Sequence, residues 1–242
     1  MRRGKIGFWF RFAVLVIKPT ATVLVKRDWR GRDRIPRTGG VIVAVNHISY
    51  ADPLLLAHFV YDSGRLPRFL AKIELFRKPF VKWVVKGAGQ VPVHRYTADA
   101  SAALHDAVAA LERGECLVIY PEGTVTKDPQ YWPMLAKTGV ARLALLTGVP
   151  VVPVAQWGAQ ELYGRDKKLR PFPRKTHHAI AGAPVDMSKY AGCEPTAETL
   201  REVTDLVMTQ IRALVGELRG EQPPAEVFDP RDLLPKAERR SA

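Results

Sequence analysis

His47 and Asp52 stand five residues apart, directly after the apolar run Val41-Ile42-Val43-Ala44-Val45. A histidine takes a proton from a hydroxyl best when a carboxylate holds its other ring nitrogen and stabilises the imidazolium formed. The pair therefore offers general-base chemistry, with Asp52 orienting His47. The sequence has no Gly-x-Ser-x-Gly elbow and so no candidate serine for an acyl-enzyme; His47 would act directly on a substrate hydroxyl. Two structural alternatives stand beside this reading. Asp52 precedes Pro53 and could serve only as a helix cap, and His47 could be an ordinary residue at a strand end. A second polar segment, Pro121-Glu122-Gly123-Thr124, follows another apolar run, Cys116-Leu117-Val118-Ile119-Tyr120.

The elements that must position these residues are readable from the pattern. Residues 41–45 and 116–120 are continuous apolar runs of strand length, as is Val149–Ala155, so all three read as buried strands. Weaker strands are predicted at Arg68–Ala71, Gln90–Val93 and Ala179–Ala181, the second near an edge because of Pro92. Helices are predicted from Asp52-Pro53, over Phe76–Lys86, over Asp99–Arg113 ending at Gly114, and over Gly139–Leu146. A long amphipathic helix over Thr196–Arg219 has Leu200, Val203, Val207, Ile211, Leu214 and Leu218 on one stripe. Alternating strands and helices predict an α/β fold: a mixed, parallel-rich sheet flanked by helices. Functional residues of such sheets gather beyond the strand C-termini, where residues 46–52 and 121–124 both fall. Residues 27–220 form the predicted catalytic domain, with Arg27–Gly40 as a polar connector into it and 221–242 as a flexible tail.

Charge adds a partner. The 242 residues carry 37 basic against 24 acidic side chains, a net of +13. The excess is clustered: eleven basic against two acidic over residues 1–38, eight against one over 65–95, six against one over 165–175. Such clusters call for an anionic partner, either nucleic acid or an anionic membrane with phosphorylated small molecules. Residues 1–26 combine Phe8, Trp9, Phe12 and Val16 with Arg2, Arg3, Lys5, Arg11 and Lys18. That is the pattern of an amphipathic helix lying in a membrane interface, the alternative being a buried helix of the domain. Arg11, Lys18 and Pro19 interrupt the apolar stretch too early for a confident span. Cys116 and Cys193 give no disulfide framework.

In these motifs the chain resembles the PlsC-like glycerolipid acyltransferases. Asn46, His47 and Asp52 match the family's Asn-His-x-x-x-x-Asp; Gly89 to Arg95 match its Gly-to-Arg segment; Pro121 to Thr124 match Pro-Glu-Gly-Thr; and Val151-Val152-Pro153-Val154 matches its apolar segment around a proline. Lys137-Thr138-Gly139 resembles a further family stretch. The resemblance implies transfer of a fatty acyl group from acyl-CoA or acyl carrier protein to a glycerolipid hydroxyl, the sn-2 position of lysophosphatidate, forming phosphatidate in phospholipid synthesis. It implies His47 as general base and Asp52 as its orienting partner. Arg95, Glu122, Gly123 and Thr124 would position the phosphorylated acceptor, with Asn46 counted among the substrate contacts. Arg suits phosphate by its bidentate fork, and Gly123 allows backbone N–H groups close to an anion. Glu122 would meet acceptor hydroxyls or Arg95, since a carboxylate repels phosphate. Lys72 and Lys137 are further candidates for phosphate or donor contacts, a solvated lysine being the alternative.

No metal or redox cofactor is expected, the acyl thioester being a substrate. The implied location is the cytoplasmic face of the cell membrane, held peripherally or monotopically. Other acceptors of the same chemistry are a lysophospholipid, a glycolipid or glycerol 3-phosphate. The basic composition alone would also suit a nucleic-acid-binding protein, but no helix-turn-helix, zinc-finger or RNP-like signature supports it. His58, His94, His105, His177 and His178 are read as structural or loop residues.

Overall fold

The apolar runs at 41–45, 116–120 and 149–155 must have both faces covered, and they lie side by side at the centre of the sheet. The computed structural model describes residues 8–77, 82–83, 90–93 and 100–233. Its strands are β1 (Val25–Arg30), β2 (Val41–Val45), β3 (Pro67–Lys72), β4 (Val91–Val93), β5 (Cys116–Ile119), β6 (Val151–Trp157) and β7 (Lys175–Ala181). They form a seven-stranded sheet in the order β1-β7-β6-β2-β5-β3-β4. Neighbours pair in parallel except β6 and β7, which are antiparallel.

Period-two alternation sorts each central strand onto two cores. Ile42, Ala44, Leu117, Ile119, Val151 and Ala155 pack beneath the helices α3 (Ala100–Glu112), α4 (Gly139–Thr147) and α6 (Ala197–Arg219). Val41, Val43, Val45, Val118, Val152 and Val154 face the other way, onto Leu56, Phe59 and Val60 of α2 (Asp52–Asp62). The predicted stripe of α6 is the face it buries: Leu200, Val203, Val207 and Ile211 are buried, and Leu214 and Leu218 are half-buried against the same core. A short helix, α5 (Ala159–Leu162), follows β6.

The N-terminal helix α1 (Phe8–Leu24) leads straight into β1. Its last turns are docked: Ala21 and Leu24 pack with Leu55 and Leu162, and Lys18 Nζ reaches Asp62 of α2 at 2.8 Å. On another face Phe8, Phe12, Leu15, Val16 and Val23 are exposed. No helix among the described residues is long and apolar enough to cross a membrane.

Two sequence readings are corrected here. The polar connector from Arg27 begins as strand β1, paired in parallel with β7 from Val25↔Lys175 to Arg30↔Ile180. As the edge strand it hydrogen-bonds on one side only and mostly exposes its charged side chains, so no apolar period announces it. The weak strand at 179–181 is only the buried end of β7, which begins at Lys175. Beyond α6, Leu135 N–H donates to the Phe228 carbonyl at 2.9 Å, and Pro230–Leu233 forms a 3-10 turn. The helix predicted at 76–86 lies largely outside the described residues.

Candidate active site

Because β6, β2 and β5 are parallel neighbours, their chains leave the sheet at one edge. The segment after β2 and the segment after β5 meet there. Asn46 directly follows β2, fully buried, and its side-chain amide extends the pairing: Nδ2 donates to the Gln156 carbonyl at 3.1 Å, and Oδ1 accepts from Gln156 N–H at 2.8 Å. Gln156 Nε2 returns a bond to the Asn46 carbonyl at 2.9 Å. Both polar atoms of the Asn46 side chain are thus engaged by protein.

His47 comes next. Its Nδ1 lies 2.8 Å from Asp52 Oδ2, with the histidine side chain 15% exposed and the aspartate 0%. The same Oδ2 accepts from Ile48 N–H at 2.7 Å and Ser49 N–H at 2.9 Å. Asp52 therefore faces back into the segment it terminates. An acceptor-only carboxylate at Nδ1 puts the proton there and leaves the Nε2 lone pair for a hydroxyl. Burial raises the Asp52 pKa above its ordinary 3.8, and the hydrogen bond and charge interaction with His47 pull it back down. Tyr120, the residue after β5, stacks on the imidazole with ring centroids 4.2 Å apart and planes 22° apart. Its phenol stays neutral, burial and then the charge of Asp52 raising its pKa well above 10.

Glu122 turns inward. Its Oε1 accepts the His47 N–H at 2.8 Å and its Oε2 accepts the Met134 N–H at 3.1 Å. Thr126 N–H donates to the His47 carbonyl at 2.7 Å, so the backbone of His47 is held on both sides by the segment after β5. Burial pushes Glu122 up to about 8 against the opposing pull of those two N–H groups. The turn that aims it needs Gly123, whose φ of 73 lies in the left-handed region. Lys137 lies over this turn, exposed, its side-chain carbons within ordinary contact range of where a Gly123 Cβ would sit. Its N–H donates to the Pro121 carbonyl at 2.9 Å. Thr124 is half-buried on the same turn. Lys72 is the last residue of β3, paired with Val93 of β4, and both strands run parallel to β5 toward the same edge. Gly89 and Arg95 lie outside the described residues.

Two contributors escaped the sequence reading. Gln156 lay just past the end predicted for its strand, Val149–Ala155, and Tyr120 was read only as the end of a strand. Behind Gln156, His177 is fully buried: Trp29 Nε1–H donates to its Nδ1 at 3.0 Å, and its Nε2 lies 3.2 Å from Gln156 Oε1. This chain braces Asn46, and through it the start of the His47 segment, against the far half of the sheet.

Fold and site together define an α/β protein that carries a histidine oriented by a buried aspartate at the carboxyl edge of a parallel-rich sheet. A sequence model of the family described as Acyltransferase matches residues 26–157, and the chain belongs to that family. It is 31% identical over 134 residues to a 1-acyl-sn-glycerol-3-phosphate acyltransferase of Borreliella burgdorferi, covering 55% of this chain and 52% of that protein. It is 33% identical over 113 residues to the lyso-ornithine lipid O-acyltransferase of Pseudomonas aeruginosa, covering 46% and 40%. The matched stretch thus spans about half the length of these relatives or less. The crystal structure of the 1-acyl-sn-glycerophosphate acyltransferase PlsC from Thermotoga maritima superimposes with a TM-score of 0.67. Sequence identity is 25%, with coverage of 90% of this chain and 81% of that one.

Proposed function

We propose that this acyltransferase moves a fatty acyl group from an acyl thioester, acyl-CoA or acyl carrier protein, to the sn-2 hydroxyl of lysophosphatidate. The observation that carries the reading is the 2.8 Å contact between His47 Nδ1 and buried Asp52, which leaves Nε2 to take a proton. Nε2 removes the hydroxyl proton as the acceptor oxygen attacks the thioester carbonyl. The C–S bond then breaks, and the imidazolium returns its proton to the leaving thiolate. Asp52 stabilises the transient positive charge. Arg95, Lys72, Lys137 and the Gly123-Thr124 turn read the acceptor phosphate. Asn46 and Glu122 hold the His47 segment in place. The lipid acceptor and the basic clusters make an anionic membrane the partner, approached from the cytoplasmic side. The lyso-ornithine lipid relative favours one second reading, the same chemistry on a lysolipid without phosphate.

Purified protein assayed with acyl-CoA and acyl carrier protein against lysophosphatidate, lyso-ornithine lipid and glycerol 3-phosphate separates these readings. The rate should be highest on lysophosphatidate. His47→Ala should lower it by about 10²–10⁴-fold, the usual worth of a general base, with an unchanged unfolding midpoint. Full turnover by a folded His47→Ala protein would remove His47 from the mechanism. Comparable rates on phosphate-free lysolipids would remove the phosphate-reading role.

A further inference from the structure

The segment between β6 and β7 belongs to no motif, yet it is ordered and unusual in what it displays. Tyr163 and Leu169 form an antiparallel bridge, and Arg170 N–H donates to the Leu162 carbonyl at 2.8 Å. At its tip Leu169 is 58% and Phe172 83% exposed, with Lys167, Lys168 and Arg170 exposed around them. Single exposed apolar residues are ordinary on a protein surface. Their setting is not. Arg174 Nη2 donates to the carbonyls of Thr22 and Val25 at 2.7 and 2.9 Å, seating the segment beside the end of α1 and its exposed Val23. At the other end Ser49 Oγ donates to the Tyr163 carbonyl at 2.6 Å, and Lys167 Nζ lies 5.7 Å from the exposed Tyr50 ring. The segment therefore joins the end of α1 to the His47–Asp52 segment.

We propose that residues 164–174 are a second membrane-contact element, which seats Leu169 and Phe172 in an anionic bilayer with Lys167 and Lys168 against the headgroups. Apolar residues flanked by basic ones suit the boundary between headgroups and acyl chains. A carrier protein's acidic surface would engage the lysines but leave Phe172 unaccounted for. This inference rests on the reading that the acceptor is a membrane lipid. The segment would then bring the mouth of the site to the surface where that lipid resides.

The test is sedimentation of the full chain with vesicles of phosphatidylcholine alone and mixed with phosphatidylglycerol, paired with acyl transfer to a short-chain, water-soluble lysophosphatidate. Leu169→Ser with Phe172→Ser should weaken partitioning about 10-fold or more on both vesicles. Lys167→Gln with Lys168→Gln should weaken it about 5-fold per lysine on the anionic vesicles alone. Activity on the water-soluble acceptor should persist in both. Unchanged partitioning of both pairs, while Phe12→Ser with Leu15→Ser in α1 releases the protein, would overturn the proposal and leave α1 as the contact. A rate lost only with acyl carrier protein as donor, at full vesicle binding, would overturn it in favour of a carrier-protein surface. Wild type that transfers acyl groups but ignores vesicles overturns it as well, without touching the chemistry. Wild type that binds through these residues yet transfers nothing supports it and sinks the acyl-transfer reading instead.

Discussion

Asp52 Oδ2 collects three donors, one from the imidazole and two from the backbone of Ile48 and Ser49. The two backbone bonds fix the carboxylate independently of His47, so the imidazole meets an acceptor already in place. Glu122 repeats the device one step further out, fixing the His47 backbone while Tyr120 covers one face of the ring. A residue that acts this way should affect turnover more than acceptor affinity. Glu122→Gln keeps one acceptor oxygen but turns an amide donor toward the other N–H. Loss of that bond leaves a buried donor unsatisfied at a cost of about 1–3 kcal/mol. The expected outcome is a kcat lowered at least about 10-fold, since a misplaced base costs that much in rate, at little change in KM for the acceptor. A raised acceptor KM at unchanged kcat would return Glu122 to direct substrate contact.

At the scale of elements, legibility followed how burial shapes a pattern. β2 and β5 are buried on both faces and so are continuous apolar runs in the sequence; the polar segments at their ends stood out by contrast. The stripe of α6 was legible for the same reason. β1 was not, because Lys26, Arg27 and Asp28 on an edge strand look like a loop. Nor was the pairing of Asn46 with Gln156, since spacing of 110 residues says nothing of two strand ends meeting. The part expected of Arg95 came from resemblance alone, since no periodicity implies it. Gly158 directly follows β6, and its φ of 91 lies in the left-handed region. A Cβ there would overlap the Thr176 carbonyl oxygen of β7. Gly158→Ala should therefore cost at least about 2 kcal/mol from backbone strain and overlap together. For a chain of this size that lowers Tm by about 4 °C or more. A Tm within a degree of wild type would mean that β6 and β7 part at this point without penalty.

Across the whole molecule, buried ionisable groups tie stability to pH in opposite directions. His177 is held neutral between the Trp29 indole, a donor only, and Gln156; burial depresses its pKa from 6.5 to about 3. The unfolded chain takes up this proton below 6.5 and the folded chain does not, so this contribution is present above 6.5 and is lost as pH falls toward 3. Glu122 behaves in the reverse sense. Its folded pKa of about 8 exceeds the ordinary 4.5, so its contribution is present below 4.5 and is lost as pH rises to 8. Each group can tilt stability by at most about 1.4 kcal/mol per pH unit within its window. The two windows overlap between 4.5 and 6.5, where the two slopes oppose each other. Urea midpoints for wild type, His177→Gln and Glu122→Gln from pH 4 to 8 separate the terms. The stability difference between wild type and His177→Gln should shift against wild type as pH falls from 6.5. The difference between wild type and Glu122→Gln should shift against wild type as pH rises from 5 to 8. Differences that do not vary with pH would mean that neither group changes its proton affinity on folding, and that the braces at both ends of the His47 segment are open to solvent.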